Sequence, residues 1–206
     1  MLDRLHFFLV LLIIVIPGCV APGPAKESSP ATVEENDQDE EIKIPERLNI
    51  VADTAGRDVD RSQRMDVLAD ANGENTMILW VSTGCSGCHD WTEMIAEEMR
   101  NGNISNHTRI ITIHRYPSFE SRQEVINVYA TNNSSTESLW PVLLPVKGQP
   151  AIDVENNNST EFDYSVAFET PATPSFTILD GEGYTIWKNK EYWFDKSVLE
   201  EALGYL

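Results

Sequence analysis

A continuous apolar run gives way to two cysteines within residues 76–88, which read TMILWVSTGCSGC. The segment 76–82 has the length and apolar character of a strand that is covered on both faces. From His89 to Arg100 the apolar residues recur at helical spacing, and Asn101-Gly102 ends that pattern. Cys85 and Cys88 therefore lie where a buried strand is followed by an amphipathic helix.

This placement favours a reactive cysteine at the start of the helix. A cysteine at a helix N-terminus meets unpaired backbone N–H groups and the positive end of the helix dipole. Both stabilise the thiolate, which is the reactive species. Because Cys88 follows Cys85 by one turn, its thiol can attack a mixed disulfide formed at the first sulfur and release the partner. The pair predicts thiol–disulfide chemistry.

Residues 1–18 have the pattern of an export signal. Leu5–Ile16 is a twelve-residue apolar block that follows Arg4, and this is the length of a signal-peptide core. Gly18-Cys19 then resembles a lipoprotein processing site, at which Cys19 would become the lipidated first residue. An uncleaved short anchor and a plain secretory signal cut nearby are the alternatives. Each places the rest of the chain outside the cytoplasm, either at the outer face of a membrane or secreted.

Residues 19–41 predict an acidic, disordered tether. Pro, Ala, Gly and Ser dominate its first part, and six acidic residues without a balancing base follow within residues 34–41. Such a segment cannot bury enough apolar surface to order itself. The remaining residues, 42–206, are numerous enough for one domain with a proper core.

The charge balance excludes two classes of partner. The chain carries a formal net charge of −18, and residues 42–206 keep −12 of it, from 25 acidic and 13 basic residues. Nucleic acid and anionic membrane surfaces are both polyanions, so a strongly acidic domain is repelled by them. We expect neither as a binding partner.

The three cysteines leave no room for a long-range disulfide framework. If Cys19 carries lipid, Cys85 and Cys88 form a local redox or ligand unit. Six asparagines lie in N-glycosylation sequons, within polar stretches that predict surface loops. These are Asn103, Asn106, Asn132, Asn133, Asn157 and Asn158.

The rest of the domain predicts alternating strands and helices, an α/β sandwich with a mixed sheet. Strands are predicted at 109–116, 175–179 and 184–188, and the last two are joined by the hairpin turn Asp180-Gly181-Glu182-Gly183. Helices are predicted at 61–71, at 121–131, and after Asp195, which caps the last one. The remaining segments are a loop at 132–137, a short extended piece at 140–146 and a polar excursion at 156–161.

This order, with Cys-x-x-Cys at the start of the first crossover helix and Thr173-Pro174 just before the hairpin, resembles the thioredoxin fold. The likeness is to the extracytoplasmic, membrane-tethered thioredoxin-like proteins that include the cytochrome-maturation reductases. It covers roughly residues 61–205. It implies a thioredoxin-like three-layer sandwich around a central mixed sheet.

The resemblance also implies roles for individual residues. Cys85 would be the attacking thiol and Cys88 the resolving one. Pro174 would be a cis proline that faces the pair, because it adjoins the strand more closely than its competitor Pro171, and the backbone of Thr173 would pair with a bound substrate. No cofactor and no metal would be needed. The partners would be client proteins with cysteines or disulfides, and a membrane redox partner that supplies or accepts electrons.

Two positions near the cysteines depart from the family pattern, and two neighbouring residues have side chains that could affect the thiols. Gly87 stands where the family usually has proline, and Leu79 replaces a buried acid. Proton transfer must then use another group, water, or Asp90, although we expect Asp90 to be a first-turn acid that stabilises the helix N-terminus. We expect His89 to be partly exposed. Its positive form could stabilise the Cys85 thiolate, or it could be a solvated residue without a role.

Three other functions fit some of the same residues. Cys85-Ser86-Gly87-Cys88-His89 matches the c-type haem attachment pattern, with axial candidates at Met94, Met99, His107 and His114. Haem domains of this type are helical, whereas this pattern follows a strand. Two thiolates and an imidazole also suit copper delivery, with His114 as the distant ligand, but His114 lies on a predicted strand and is expected to be structural. A non-enzymatic contact module would not need both cysteines.

Overall fold

The computed structural model describes residues 43–206. The predicted signal peptide (1–18), the lipidation at Cys19 and the tether (19–41) lie outside these residues. Ten strands and four α-helices form in the described part of the chain. The strands are β1 (Leu48–Asn49), β2 (Val51–Asp53), β3 (Arg64–Asp66), β4 (Thr76–Val81), β5 (Ile110–His114), β6 (Val142–Leu143), β7 (Pro150–Asp153), β8 (Asn158–Asp163), β9 (Ser175–Leu179) and β10 (Thr185–Asn189). The helices are α1 (Ser86–Arg100), α2 (Arg122–Tyr129), α3 (Tyr164–Ala167) and α4 (Lys196–Leu203).

The central sheet is mixed and has five strands in the order β10-β9-β4-β5-β6. β5 runs parallel to β4 and to β6, while β9 runs antiparallel to β4 and to β10. Every residue of β4 is buried, because strands flank it on both edges and side chains cover both faces. Trp80 near the end of β4 pairs with Ser175 at the start of β9. The last residues of β4 therefore lie beside the chain that enters β9.

Two hydrophobic clusters cover the two faces of this sheet. On one face α1, α2 and α4 contribute Trp91, Val125 and Leu199 to a common core. On the other face Trp80 packs among residues from β1, β7 and α3, including Ala151 and Tyr164. Helices on one side and a small three-stranded sheet (β1-β7-β8) on the other make the three-layer α/β sandwich that the sequence predicted.

One predicted helix is wrong. Residues 61–71 form β3, which pairs with β2, and then one 3-10 turn at Ala69–Ala71. Met65 and Val67 are both buried while Arg64 is exposed. Burial therefore alternates with every second residue, as in a strand, and the helical spacing of Met65 with Leu68 and Ala69 is incidental. The polar excursion predicted at 156–161 is also more regular than expected, because it belongs to a hairpin of β7 and β8.

The other predicted elements are confirmed with shifts of a few residues at their ends. Asp195 caps α4 by accepting from the backbone N–H groups of Ser197 and Val198, as predicted. The six sequon asparagines are all exposed. In the described part of the chain, no helix combines the length and the apolarity needed to cross a membrane.

Candidate redox site

Cys85 and Cys88 are joined by a disulfide at the N-terminus of α1. Cys85 is the N-cap residue, and its sulfur accepts a hydrogen bond from the backbone N–H of Cys88 at 3.1 Å. Cys85 is 7% exposed and Cys88 is 0% exposed. Both residues are buried, and the small exposure that the pair has belongs to Cys85, whereas Cys88 is fully shielded.

The Thr173–Pro174 peptide bond is cis, as the sequence predicted in preference to Pro171. Pro174 faces the cysteine turn, since a side-chain carbon placed on Gly87 would lie 3.1 Å from Pro174 Cδ. The hydroxyl groups of Thr173 and Ser82, the residue that follows β4, are 3.4 Å apart. Two segments that are about ninety residues apart in sequence thus meet at the carboxyl end of the central strand β4.

The structure explains why residue 87 is a glycine. A side-chain carbon at this position would collide with the backbone carbonyl oxygen of Tyr192. The loop that carries Tyr192 is held against α1 by two hydrogen bonds, from Trp91 Nε1 to the Glu191 carbonyl at 2.9 Å and from the Phe194 N–H to Asp90 Oδ2 at 2.8 Å. A proline at this position would meet the same carbonyl.

The predicted role of Asp90 is wrong. Because α1 begins at Ser86, no acidic residue lies in its first turn, and Asp90 lies beyond it. Its carboxylate instead anchors the loop before α4 through Phe194. Leu79, at the position of the family's buried acid, lies in the same apolar cluster as Cys88.

His89 is half-buried and anchored. Its Nε2 lies 2.8 Å from the carbonyl oxygen of Thr83. Because a carbonyl only accepts, Nε2 carries the hydrogen and donates. The ring also meets Tyr129 edge-on, with 5.8 Å between the ring centroids. Tyr129 donates to the Ser82 carbonyl at 2.7 Å, and burial raises the pKa of its hydroxyl group far above the ordinary value, so it remains a donor.

Next to the loop that precedes Cys85, the buried imidazole of His114 pairs with the partly buried carboxylate of Glu120. His114 Nε2 is 2.9 Å from Glu120 Oε2, and both oxygens of Glu120 accept from the Thr83 N–H. Burial lowers the pKa of His114, against the opposing effect of its hydrogen bond to Glu120. His114 is therefore structural, as expected. Sequence analysis missed Glu120, because nothing local indicates that its loop folds back onto Thr83.

Two exposed aromatic side chains lie beside the cysteine turn. Tyr192 and Trp193, which are 42% and 56% exposed, contact each other beside Gly87. A third exposed aromatic residue, Phe119, is 86% exposed and directly precedes Glu120, whose carboxylate binds the Thr83 N–H. Sequence analysis missed these three residues too, although aromatic residues outside any periodic apolar pattern were an available signal.

The residues present do not fit haem or copper well. Met99 is packed in the core, His89 is bound to Thr83, and His114 is bound to Glu120. Within residues 43–206, no group of three or more His, Cys, Asp or Glu side chains is placed to hold a metal ion. A ligand set for either group would have to break existing hydrogen bonds.

Comparison by amino-acid sequence finds no match, either to a family model or to a curated protein. Comparison by structure does find matches. The exposed lipoprotein thioredoxin of Streptococcus pneumoniae is 15% identical, with a TM-score of 0.51 over 77% of this chain and 99% of that one. A protein assigned as a DsbE-type thiol:disulfide interchange protein from Chlorobium tepidum is 9% identical, with a TM-score of 0.51 over 79% of this chain and 96% of that one.

A third structure has the same architecture. It is the C-terminal domain of a protein assigned as a thiol-disulfide oxidoreductase from Bacteroides thetaiotaomicron. That domain is 10% identical, with a TM-score of 0.50 over 80% of this chain and 96% of the other. At these identities the likeness is one of fold. The described part of the chain has the thioredoxin-like fold.

Proposed function

We propose that this protein is a thiol–disulfide oxidoreductase that acts on proteins outside the cytoplasm through Cys85 and Cys88. The observation that carries the proposal is the arrangement of the pair. Cys85, which keeps the pair's small exposure at a helix N-terminus, is bonded to the fully buried Cys88, and Pro174 lies beside their turn. The thioredoxin-like fold supports it, because structures of similar fold are described as a thioredoxin, a thiol:disulfide interchange protein and a thiol-disulfide oxidoreductase.

The chemistry passes two electrons through sulfur alone. In the reducing direction, the Cys85 thiolate attacks one sulfur of a client disulfide, and the other client sulfur leaves as a thiolate that takes up a proton. Cys88 then loses its proton and attacks Cys85, which forms the Cys85–Cys88 disulfide and releases the second client thiol. The reverse sequence oxidises a client dithiol. No dissociable cofactor takes part, and a membrane redox partner restores the starting form of the pair.

Thr173 and Pro174 hold the client backbone in this scheme. Their place beside the cysteine turn supports this, as does an aromatic rim formed by the exposed side chains of Tyr192 and Trp193 next to Gly87. Exposed aromatic side chains offer large contact areas to a polypeptide. The net charge of −12 across residues 42–206 disfavours anionic small thiols and acidic clients.

His89 modulates the pair in this proposal. It already donates to the carbonyl of Thr83, two residues before Cys85. On protonation the imidazole would bring a positive charge to this loop, and a nearby positive charge favours a thiolate.

The remaining parts of the proposal concern location. Residues 1–18 direct export, Cys19 carries lipid, and the tether 19–41 holds the domain 42–206 off the outer face of the membrane. The Gly18-Cys19 pattern supports the anchor, and one structure of similar fold is itself described as an exposed lipoprotein. In a host that glycosylates exported proteins, the exposed sequons would carry glycan.

Trapping tests the roles of the two cysteines. Cys88→Ser removes the resolving thiol, so mixed disulfides between Cys85 and clients should accumulate on non-reducing gels. Cys85→Ser should trap none. Equal trapping by both variants, or by neither, contradicts the assignment. A redox titration with visible absorbance and mass measurement tests the alternatives, because a Soret band would favour haem and bound copper would favour metal delivery.

A further inference from the structure

Thr83, two residues before Cys85, is held at both of its peptide groups. Its N–H donates to both oxygens of Glu120 at 3.0 Å, and its carbonyl oxygen accepts from His89 at 2.8 Å. One partner belongs to the loop after β5 and the other to α1. Because only Gly84 separates Thr83 from Cys85, these hydrogen bonds hold the backbone immediately before the N-cap of α1.

Glu120 is itself fixed in place. Its Oε2 atom accepts from His114 Nε2 at 2.9 Å, and its backbone N–H donates to the Tyr116 carbonyl at 3.1 Å. His114 is buried at the end of β5, and its carbonyl oxygen accepts from the Tyr164 hydroxyl at 2.7 Å. The carboxylate of Glu120 therefore links a rigid strand end to the loop that carries Cys85.

The length of the glutamate side chain matters more for this link than its charge. Two N–H donors, from Thr83 and His114, converge on one carboxylate, and an ionised carboxylate is a pure acceptor that can receive both. An aspartate at this position keeps the charge, but it is one methylene too short to reach both donors. A glutamine keeps the reach. Its oxygen can accept from Thr83, and its amide can donate to His114 in the other imidazole tautomer.

We propose that Glu120 is a positioning residue for the attacking thiol, and that His114 orients it. This rests on the proposed function, in which Cys85 is the sulfur that attacks. When the disulfide opens, the covalent link that holds Cys85 to Cys88 is lost. The hydrogen bonds at Thr83 involve neither sulfur and remain, so they keep Cys85 oriented for in-line attack on a client disulfide.

The test compares Glu120→Asp with Glu120→Gln in the full chain. The rate constant is measured for reduction of a peptide that contains one intramolecular disulfide, at a temperature where melting curves show each variant to be folded. Glu120→Asp should lower the rate constant about tenfold, and Glu120→Gln should stay within about threefold of the wild type. Matched controls are Glu93→Asp and Glu93→Gln, at an exposed position on α1, which should leave the rate unchanged.

A positioning role requires that order of the two variants. Rates that are both close to the wild type, or a glutamine variant slower than the aspartate variant, overturn the proposal. Alkylation of the reduced wild type by iodoacetamide, with each cysteine resolved by peptide mass mapping, tests the underlying function separately. If Cys85 reacts no faster than Cys88, the assigned role of Cys85 fails. If Cys85 reacts faster but the Glu120 variants do not differ in rate, only the positioning role fails.

Discussion

The backbone carbonyl of Tyr192 occupies the space in which a side chain on Gly87 would lie. This contact joins the cysteine turn to the loop before α4, which is pinned by Asp90 and by Trp91. Gly87 sits in the first turn of a helix, where alanine is ordinarily the more stable residue. The contact reverses that preference, because neither backbone can move without loss of hydrogen bonds.

Gly87→Ala should therefore lower the free energy of unfolding by about 1–3 kcal/mol, as overpacking does in other well-packed sites. Urea unfolding with the disulfide intact measures it. Gly84→Ala is the matched control, since no atom lies within 4 Å of the carbon that it adds, and it should change stability little. A Gly87→Ala variant as stable as the wild type would show that the loop yields easily.

Trp193 belongs to the exposed aromatic rim beside the cysteine turn, where it contacts Tyr192. Trp193→Ala should lower kcat/KM for a protein disulfide about fivefold to tenfold, because a rim aromatic contributes contact area to a large client. The rate with a small disulfide, which cannot span the rim, should not change. Ile186→Ala removes an exposed apolar side chain from β10 and is the control. Equal losses with both substrates would mean that Trp193 acts on the sulfur pair and not on the client.

His114 makes stability depend on pH. Burial lowers its pKa below the ordinary value of 6.5, so below pH 6.5 the unfolded chain binds a proton that the folded protein does not. Stability should therefore fall as the pH drops from 6.5 through the lower, folded pKa. His114→Gln should remove this part of the pH dependence. It should also cost about 1–2 kcal/mol at neutral pH through the altered buried hydrogen bond.

Urea unfolding at a series of pH values measures the effect. His107→Gln is the control, because His107 is exposed. Its removal should leave the loss of stability below pH 6.5 unchanged. If the free energy of unfolding falls equally below pH 6.5 in the wild type and in His114→Gln, the pH dependence belongs to other groups.

Local patterns were sufficient to predict the central elements. The strand 175–179 matches β9 at both ends, because apolar runs between turn residues specify buried strands without reference to the rest of the chain. Residues 61–71 were mispredicted, because the spacing of Met65, Val67 and Leu68 fits both periods. Pairing with β2, which the spacing within residues 61–71 does not reveal, decides between them.

The residues of the candidate site also fall into two groups, those that the sequence predicts and those that it does not. Cys85, Cys88 and Pro174 were predicted, because a motif and a resemblance mark them. Glu120 and Tyr192 were not, because each acts on the cysteine turn from a loop whose path depends on tertiary packing. A loop that folds back onto a backbone N–H, as Glu120 does at Thr83, has no local sequence signal.

Asp60 provides a stability test that is separate from the redox chemistry. Its carboxylate is fully buried and accepts from the N–H and guanidinium groups of Arg57 and from the Val142 N–H at 3.0 Å. Arg57 in turn donates to the carbonyl oxygens of Ser138 and Trp140 at 2.8 Å. The pair thus fastens the segment before β3 to β6, at the edge of the sheet.

Asp60→Ala leaves a guanidinium group and a backbone N–H without their partner, so it should cost about 3–5 kcal/mol, as removal of one member of a buried ion pair does. Asp58→Ala, in the same 3-10 turn but exposed, is the control and should cost less than about 1 kcal/mol. The reduction potential of Cys85–Cys88 should not change in the folded variant, because none of the hydrogen bonds of Asp60 reaches the cysteine turn. A small stability loss at Asp60 would mean that water replaces its carboxylate. A shifted potential would mean that β6 is coupled to the sulfur pair.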